Sequence, residues 1–206
     1  MEYGDLLCFV TPRRLFLDTP PSERDETDPM AVVYKDFREH EAIAGVASGL
    51  AYLHSHYVIH GDLKAANVVL DETLQPKICD FGLTKVIHTE YACTSDALKG
   101  VGSYKWMSPE LFTNDENSSK TIESDVYAFG MTIAEIISAE VPFPHLRRSW
   151  SIMRAVVEGV RPIPEPMSRA GQPFNDLWSL AASCWATNPS LRPSAGAIVA
   201  ILDGRE

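Results

Sequence analysis

The four cysteines of this chain, Cys8, Cys79, Cys93 and Cys184, include no C-x-x-C pair. Two of them sit in apolar surroundings, which suits buried thiols in a reducing compartment, so an intracellular protein is expected, cytoplasmic with the nucleus left open. There is no uninterrupted apolar stretch of about 18 residues, so no membrane span is expected. The first residues, MEYGDLLCFVTPRRLF, lack the basic start and small-residue cleavage site of a signal peptide. Positive charge is scarce: 18 Lys and Arg against 28 Asp and Glu leave a net charge of −10, with no Lys/Arg block and no internal repeat. Such a surface repels a phosphate backbone, so neither nucleic acid nor a membrane is an expected partner. What remains, 206 residues that are 45% apolar and 22% charged, is the composition of one folded domain.

The first break in the chain is the acidic stretch 18–29, DTPPSERDETDP, whose five acids and three prolines argue against helix or strand and predict an exposed, mobile insertion. Beyond it, Ile43, Val46, Leu50 and Leu53 recur at spacings of three and four, the pattern of a helix with one buried face ending near His54 to Tyr57. The pattern then changes to short β-rich pieces, residues 68–70 and 77–79, separated by the polar turn DETLQP, which reads as a small hairpin. Residues 86–121 are too long and too polar for an ordinary connection and belong beside the chemistry. Val126, Phe129, Ile133, Ile136 and Ile137 mark a second helix, apolar nearly all round and therefore central. Further helices are predicted over residues 152–157, 177–185 and 195–202. The expected fold class is α+β, mostly α-helical, with a small β-hairpin sheet.

The stretch richest in chemistry is His60-Gly-Asp-Leu-Lys-Ala-Ala-Asn67, followed 13 residues after the Asn by Asp80-Phe-Gly82. Downstream come Gly102-Ser-Tyr-Lys-Trp-Met-Ser-Pro-Glu110, then Asp125-Val-Tyr-Ala-Phe-Gly130, then Cys184-Trp185, Asn188-Pro189 and Leu191-Arg192-Pro193. A single one of these arises often by chance, but five in order do not. Together they resemble the large, C-terminal lobe of a protein kinase, close to the tyrosine-kinase-like group of Ser/Thr kinases. The resemblance divides the chain into a hinge at 1–6, the insertion at 18–29, a catalytic loop at 58–67 and an activation segment at 80–110. A central helix at 122–138 and closing helices at 149–203 complete it.

The resemblance implies ATP and Mg²⁺ as cofactors and a protein bearing Ser or Thr as substrate. Phosphoryl transfer needs a carboxylate and an amide oxygen converging on a divalent cation, and Asp80 and Asn67 are the fitting pair. The attacking hydroxyl needs a proton acceptor, Asp62, while Lys64 places a point charge on the transferred group and Ser103 bridges the two. By the same resemblance the adenine rests on Val69 and meets the hinge backbone of Glu2 and Gly4. His60, Phe81 and Gly82 support the site. Glu110 and Arg192 are expected as a buried ion pair, the alternative being a surface contact of under about 1 kcal/mol. Asp125 is either an ordinary first-turn acid or a buried acceptor for backbone N–H groups near His60.

Two departures stand out. Gly61 occupies the position where most kinases carry Arg, so the loop has no guanidinium to read a phosphate on the activation segment. Gly here also resembles small-molecule phosphotransferases, which lack the docking segment and the closing motif. Met1-Glu-Tyr-Gly4 looks like the hinge itself, so the small lobe is expected to be absent, and with it the Gly-rich loop and strand lysine. The chain alone is then expected to be inactive as a kinase. Two readings stay open: the catalytic lobe of an enzyme whose small lobe exists in the natural product, and a non-catalytic regulatory module with a partner covering the exposed cleft.

Overall fold

The computed structural model describes residues 3–86, 103–113, 119–162 and 174–204. Glu2, Cys93, Gly102 and most of the 86–121 stretch lie outside them. Among the described residues the chain forms seven α-helices and two small antiparallel sheets. The helices are α1 (Leu6–Asp18), α2 (Met30–Asp36), α3 (Glu39–Ser55), α4 (Ile122–Ser138), α5 (Ser149–Val157), α6 (Phe174–Cys184) and α7 (Ala195–Leu202). The strands are β1 (Val58–Ile59), β2 (Val68–Leu70), β3 (Pro76–Ile78) and β4 (Lys85–Val86).

The helix predicted from Ile43, Val46 and Leu50 is α3, whose buried face is Ala42, Ile43, Val46, Ala47 and Leu50. It packs against α7 on one side and β3 on the other. The central helix is α4. Thr121 and Ser124 exchange side-chain and backbone hydrogen bonds across its first turn, satisfying donors that a helix start leaves open. It ends at Ala139 in the left-handed conformation, φ 56°, whose N–H returns to Glu135 O at 2.7 Å. Every residue from Ser124 to Ile137 is buried, as an all-round apolar helix must be. Gly130 explains how closely α6 approaches: a Cβ there would lie 2.6 Å from Trp185 Nε1 and 2.8 Å from Cys184 Cβ.

The β-hairpin pairs Val68 with Ile78, Val69 with Lys77 and Leu70 with Pro76, so its second strand starts one residue earlier than the 77–79 expected from sequence. A second pair, β1 with β4, sets Val58 opposite Val86 and Ile59 opposite Lys85. The single predicted sheet is therefore two. Two-residue strands show no period, and partners this far apart in sequence leave no turn signal between them.

Helices α1 and α2 have no counterpart in the sequence pattern. Pro12 sits inside α1, where it removes a backbone donor and argues against a helix. Burial of Leu6, Phe9, Val10 and Arg13 at spacings of three and four overrides that preference, and Asp5 caps the start by accepting from Cys8 N at 2.9 Å. The 18–29 stretch is also more ordered than expected. It holds a 3-10 turn at Pro21–Glu23, and Arg24 donates to Leu17 O and Thr19 O at 2.7 Å each while lying over the Phe16 ring. Carbonyls left open at the end of α1 supply the acceptors that tie it down. No helix among the described residues is long and apolar enough to cross a membrane.

Candidate active site

The loop between β1 and β2 is clamped from below by one carboxylate. Asp125, 1% exposed in the first turn of α4, accepts from His60 N and Gly61 N at 2.8 Å each, and from His54 Nε2 at 3.0 Å. It is thus a buried acceptor rather than a solvated first-turn acid. His60 is fully buried; Asp62 N donates to its Nδ1 at 3.3 Å, which assigns the ring proton to Nε2, facing Cys79 O at 3.0 Å. Phe81 meets the His60 ring edge-on at 5.4 Å and is itself half exposed.

On that platform four polar side chains converge. Lys64 Nζ donates to Asp62 Oδ2 at 2.8 Å and to Ser103 Oγ at 2.9 Å. Asn67 Nδ2 donates to Asp62 O at 2.7 Å and to Asp62 Oδ2 at 3.1 Å. Burial pushes the Asp62 carboxyl up, but hydrogen bonds from Lys64, Ser103 and Asn67 and the lysine charge outweigh it. The group is held below the ordinary carboxylate value.

Asp80 stands across the hairpin from Asn67, whose carbonyl accepts from Cys79 N at 2.9 Å. Its side chain is exposed, its φ is 61°, and Gly82 N donates to its Oδ1 at 3.3 Å. Gly4 and Asp5 run beside β2: Asp5 bridges to Val69 in antiparallel fashion, and Gly4 O lies 3.5 Å from Leu70 N. Val69 is half-buried. Glu2 lies outside the described residues.

Glu110 and Arg192 form a two-pronged pair, Nη1 to Oε1 at 2.7 Å and Nη2 to Oε2 at 2.8 Å. The arginine side chain is completely buried, donates further to Glu123 O and Ala186 O at 2.9 Å, and lies over the Tyr127 ring. The glutamate is 28% exposed, so only one half of the expected buried pair is fully desolvated. Burial raises the Glu110 carboxyl, and the hydrogen bonds from Arg192, Ser108 and the backbone, together with the arginine charge, more than offset it, leaving it low.

Two charged residues of the site went unnoticed in sequence. Glu135 on α4 is fully buried and accepts with Oε2 from Ala65 N at 2.9 Å and Trp106 Nε1 at 2.6 Å, joining the loop between β1 and β2 to the segment before Glu110. Desolvation lifts its carboxyl to about 7, against the partial pull of those two donors. A charged residue inside an apolar helical run was the available signal. The other is Lys120, half-buried just ahead of α4.

A family model described as protein tyrosine and serine/threonine kinase matches residues 1–202. A probable serine/threonine-protein kinase of Dictyostelium discoideum is 36% identical over 158 residues, 77% of this chain and 16% of the relative. A serine/threonine/tyrosine-protein kinase of Arabidopsis thaliana is 34% identical over 158 residues, 77% of this chain and 37% of the relative. A serine/threonine-protein kinase of the same plant is 31% identical over 159 residues, 77% and 26%. The chain thus spans well under half the length of these relatives. A family match over almost the whole chain, joined to motifs that the fold gathers around one loop, means that the chain belongs to the protein kinase family.

Proposed function

We propose that this chain is the catalytic lobe of a Ser/Thr protein kinase of the tyrosine-kinase-like type, moving the γ-phosphoryl group of ATP to a hydroxyl of a protein substrate. The observation that carries the reading is the single hydrogen-bonded cluster of Asp62, Lys64, Ser103 and Asn67. An Asp62 carboxylate kept ionised by its neighbours can orient the substrate hydroxyl and accept its proton. Lys64, tied to both Asp62 and Ser103, holds a positive charge where negative charge shifts during transfer.

The residues present fit a magnesium ion. The amide nitrogen of Asn67 is occupied by Asp62, which leaves its oxygen as an acceptor, and Asp80 offers an exposed carboxylate across the hairpin. Two hard oxygen ligands suit a cation that completes its shell with water and phosphate oxygens. When bound with ATP, the ion would neutralise charge on the β- and γ-phosphates. Val69 and the backbone at Gly4 are the proposed seat of the adenine.

The test is transfer of labelled γ-phosphate to Ser/Thr peptides in Mg²⁺, for the chain alone and for the chain joined behind a kinase small lobe. The joined protein should transfer phosphate and the chain alone should be nearly silent. Asp62→Asn and Asp80→Asn should abolish transfer while the proteins still fold, as read from cooperative unfolding curves. An Asp62→Asn protein with wild-type turnover would refute the reading and leave a non-catalytic module that docks partners.

A further inference from the structure

Gly61 has φ +78°, and a Cβ built on it would lie 2.9 Å from Leu83 O, 2.9 Å from Lys120 Cδ and 3.5 Å from Lys120 Nζ. The space that any side chain at position 61 would enter is therefore already filled, on one side by the Leu83 carbonyl and on the other by a lysine arriving from another part of the chain. Lys120 immediately precedes Thr121, the N-cap of α4, whose reciprocal bonds with Ser124 fix where the lysine stem begins. The residue is half-buried rather than fully exposed. It faces Asp62 of the catalytic loop and Asp125 of α4, with Lys64 as the nearby like charge, and among the described residues it forms no direct ion pair.

An unconstrained lysine stays in water, where its ammonium is fully hydrated and its four-carbon stem is free. Here burial weakens the protonated form, and the two carboxylates oppose that loss. Four charged groups face one another around the loop, and Asp62 and Asp125 are matched in number only if Lys120 is counted with Lys64. The cavity between Lys120, Gly61, Asp62 and Ser103 is about 20 Å³, with room for nothing larger than water. The lysine therefore acts on the loop and not on a ligand held in that space.

We propose that Lys120 is a positioning residue of the catalytic loop: reaching back from the start of α4 into the space left by Gly61, it supplies the fixed positive charge that holds the Asp62 turn in its working geometry. The proposal rests on the kinase reading for the role of Asp62. The pairing of positions 61 and 120 does not depend on it. Glycine at 61 and lysine at 120 are one unit, in which the loop's second cation comes from the residue just ahead of the α4 N-cap. Arginine at 61 and lysine at 120 are mutually exclusive occupants.

The test has two arms. The first is a double-mutant cycle read as unfolding midpoints of this chain, with Gly61→Arg, Lys120→Ala and both together. Arginine at 61 must expel Lys120, so Gly61→Arg should cost markedly more with Lys120 present than with Lys120→Ala, a difference of roughly 2–8 °C. Should the arginine variant not fold in either background, Gly61→Ala, which meets Lys120 Cδ at the same 2.9 Å, replaces it in the cycle. Additive midpoints would overturn the pairing. The second arm reads turnover of the chain joined to a small lobe. Lys120→Met should lower kcat roughly 10- to 100-fold with the KM for ATP unchanged, and Lys120→Arg should recover most of it. Unchanged kcat in Lys120→Met would overturn the positioning role even if the midpoint fell. Absence of transfer by the unmutated protein would instead remove the kinase reading and the catalytic part of this role, while the first arm still decides whether the two positions share one space.

Discussion

Replacing Glu135 by Gln should make the protein more stable at pH 8 and leave it nearly unchanged near pH 5. Glu135 is completely buried, its Oε2 accepts from Ala65 N and Trp106 Nε1, and its Oε1 has no partner among the described residues. Burial lifts its carboxyl from 4.5 to about 7. An acid raised in this way holds its proton in the folded state over a range where the unfolded chain has already released it. The folded state binds more protons there, so stability falls as pH climbs from about 4.5 to about 7 and is level beyond. A shift of this size is worth about 3 kcal/mol, since each pKa unit is about 1.4 kcal/mol. Glutamine keeps the acceptor oxygen for both donors and has nothing to titrate. Urea titrations of the two proteins at pH 5, 6, 7 and 8, with equal m-values, give the difference directly. It should grow by about 2–3 kcal/mol in favour of Gln across that range. Asp62 and Glu110 are shifted the other way, so their contribution is lost only on the acid side, and it cancels between the two proteins. A difference that stays flat from pH 5 to 8 would mean that the carboxylate is solvated and that the tie from α4 to the catalytic loop is not as described.

Other outcomes follow from the same geometry. Arg192→Ala should cost about 3 kcal/mol, because it removes the two-pronged bond to Glu110 and takes the buried donor away from two backbone carbonyls. Arg154→Ala, which breaks an exposed contact with Glu158, should leave the urea midpoint in place; superimposable curves would show the Arg192 pair to be superficial. Asp125→Ala strands the N–H groups of His60 and Gly61, costing about 3 kcal/mol, and hydrogen exchange should show those two amides losing protection first. Gly130→Ala should destabilise by about 1–3 kcal/mol through collision with Trp185, whereas Gly196→Ala, exposed on α7 where a Cβ would meet only Ser194 Oγ at 4.0 Å, should stabilise by about 0.5–1 kcal/mol in thermal melts.

Periodicity carried α3, α4 and α7 plainly, because each buries a face long enough to repeat. It failed at α1, where Pro12 masks the spacing of Leu6, Phe9, Val10 and Arg13, and at α2, which is only seven residues long. The site divides in the same manner. Asp62, Lys64, Asn67 and Asp80 are legible because they lie close together in sequence within recognisable motifs. Glu135 on α4 and Lys120 just ahead of that helix reach the loop from more than fifty residues downstream, so only folding shows what they touch. The insertion at 18–29 was misjudged for a related reason: Arg24 looks solvated among acids, yet its partners are carbonyls, which composition does not display. Thr94 and Ser95, on the segment that Gly61 cannot read through an arginine, lie outside the described residues.

The hairpin between Asn67 and Asp80 also has an evolutionary reading. Its two strands are a ruler: Asn67 stands immediately before β2 and Asp80 two residues after β3, while the turn at the far end is self-contained, with Asp71 Oδ1 accepting from Thr73 N, Thr73 Oγ1 and Gln75 N. Residues gained or lost at that tip leave the ruler's length unchanged, and lineages are free to drift there. One residue deleted within Val68–Leu70 or Pro76–Ile78 is another matter: the pleat inverts, and inward Val68 and Leu70 exchange faces with Val69. The offset that sets Asn67 opposite Cys79, one residue short of Asp80, is then lost. Descendants of this chain should therefore differ freely in turn length and hardly at all in strand length, and a lineage released from phosphoryl transfer would betray it first by indels inside the strands.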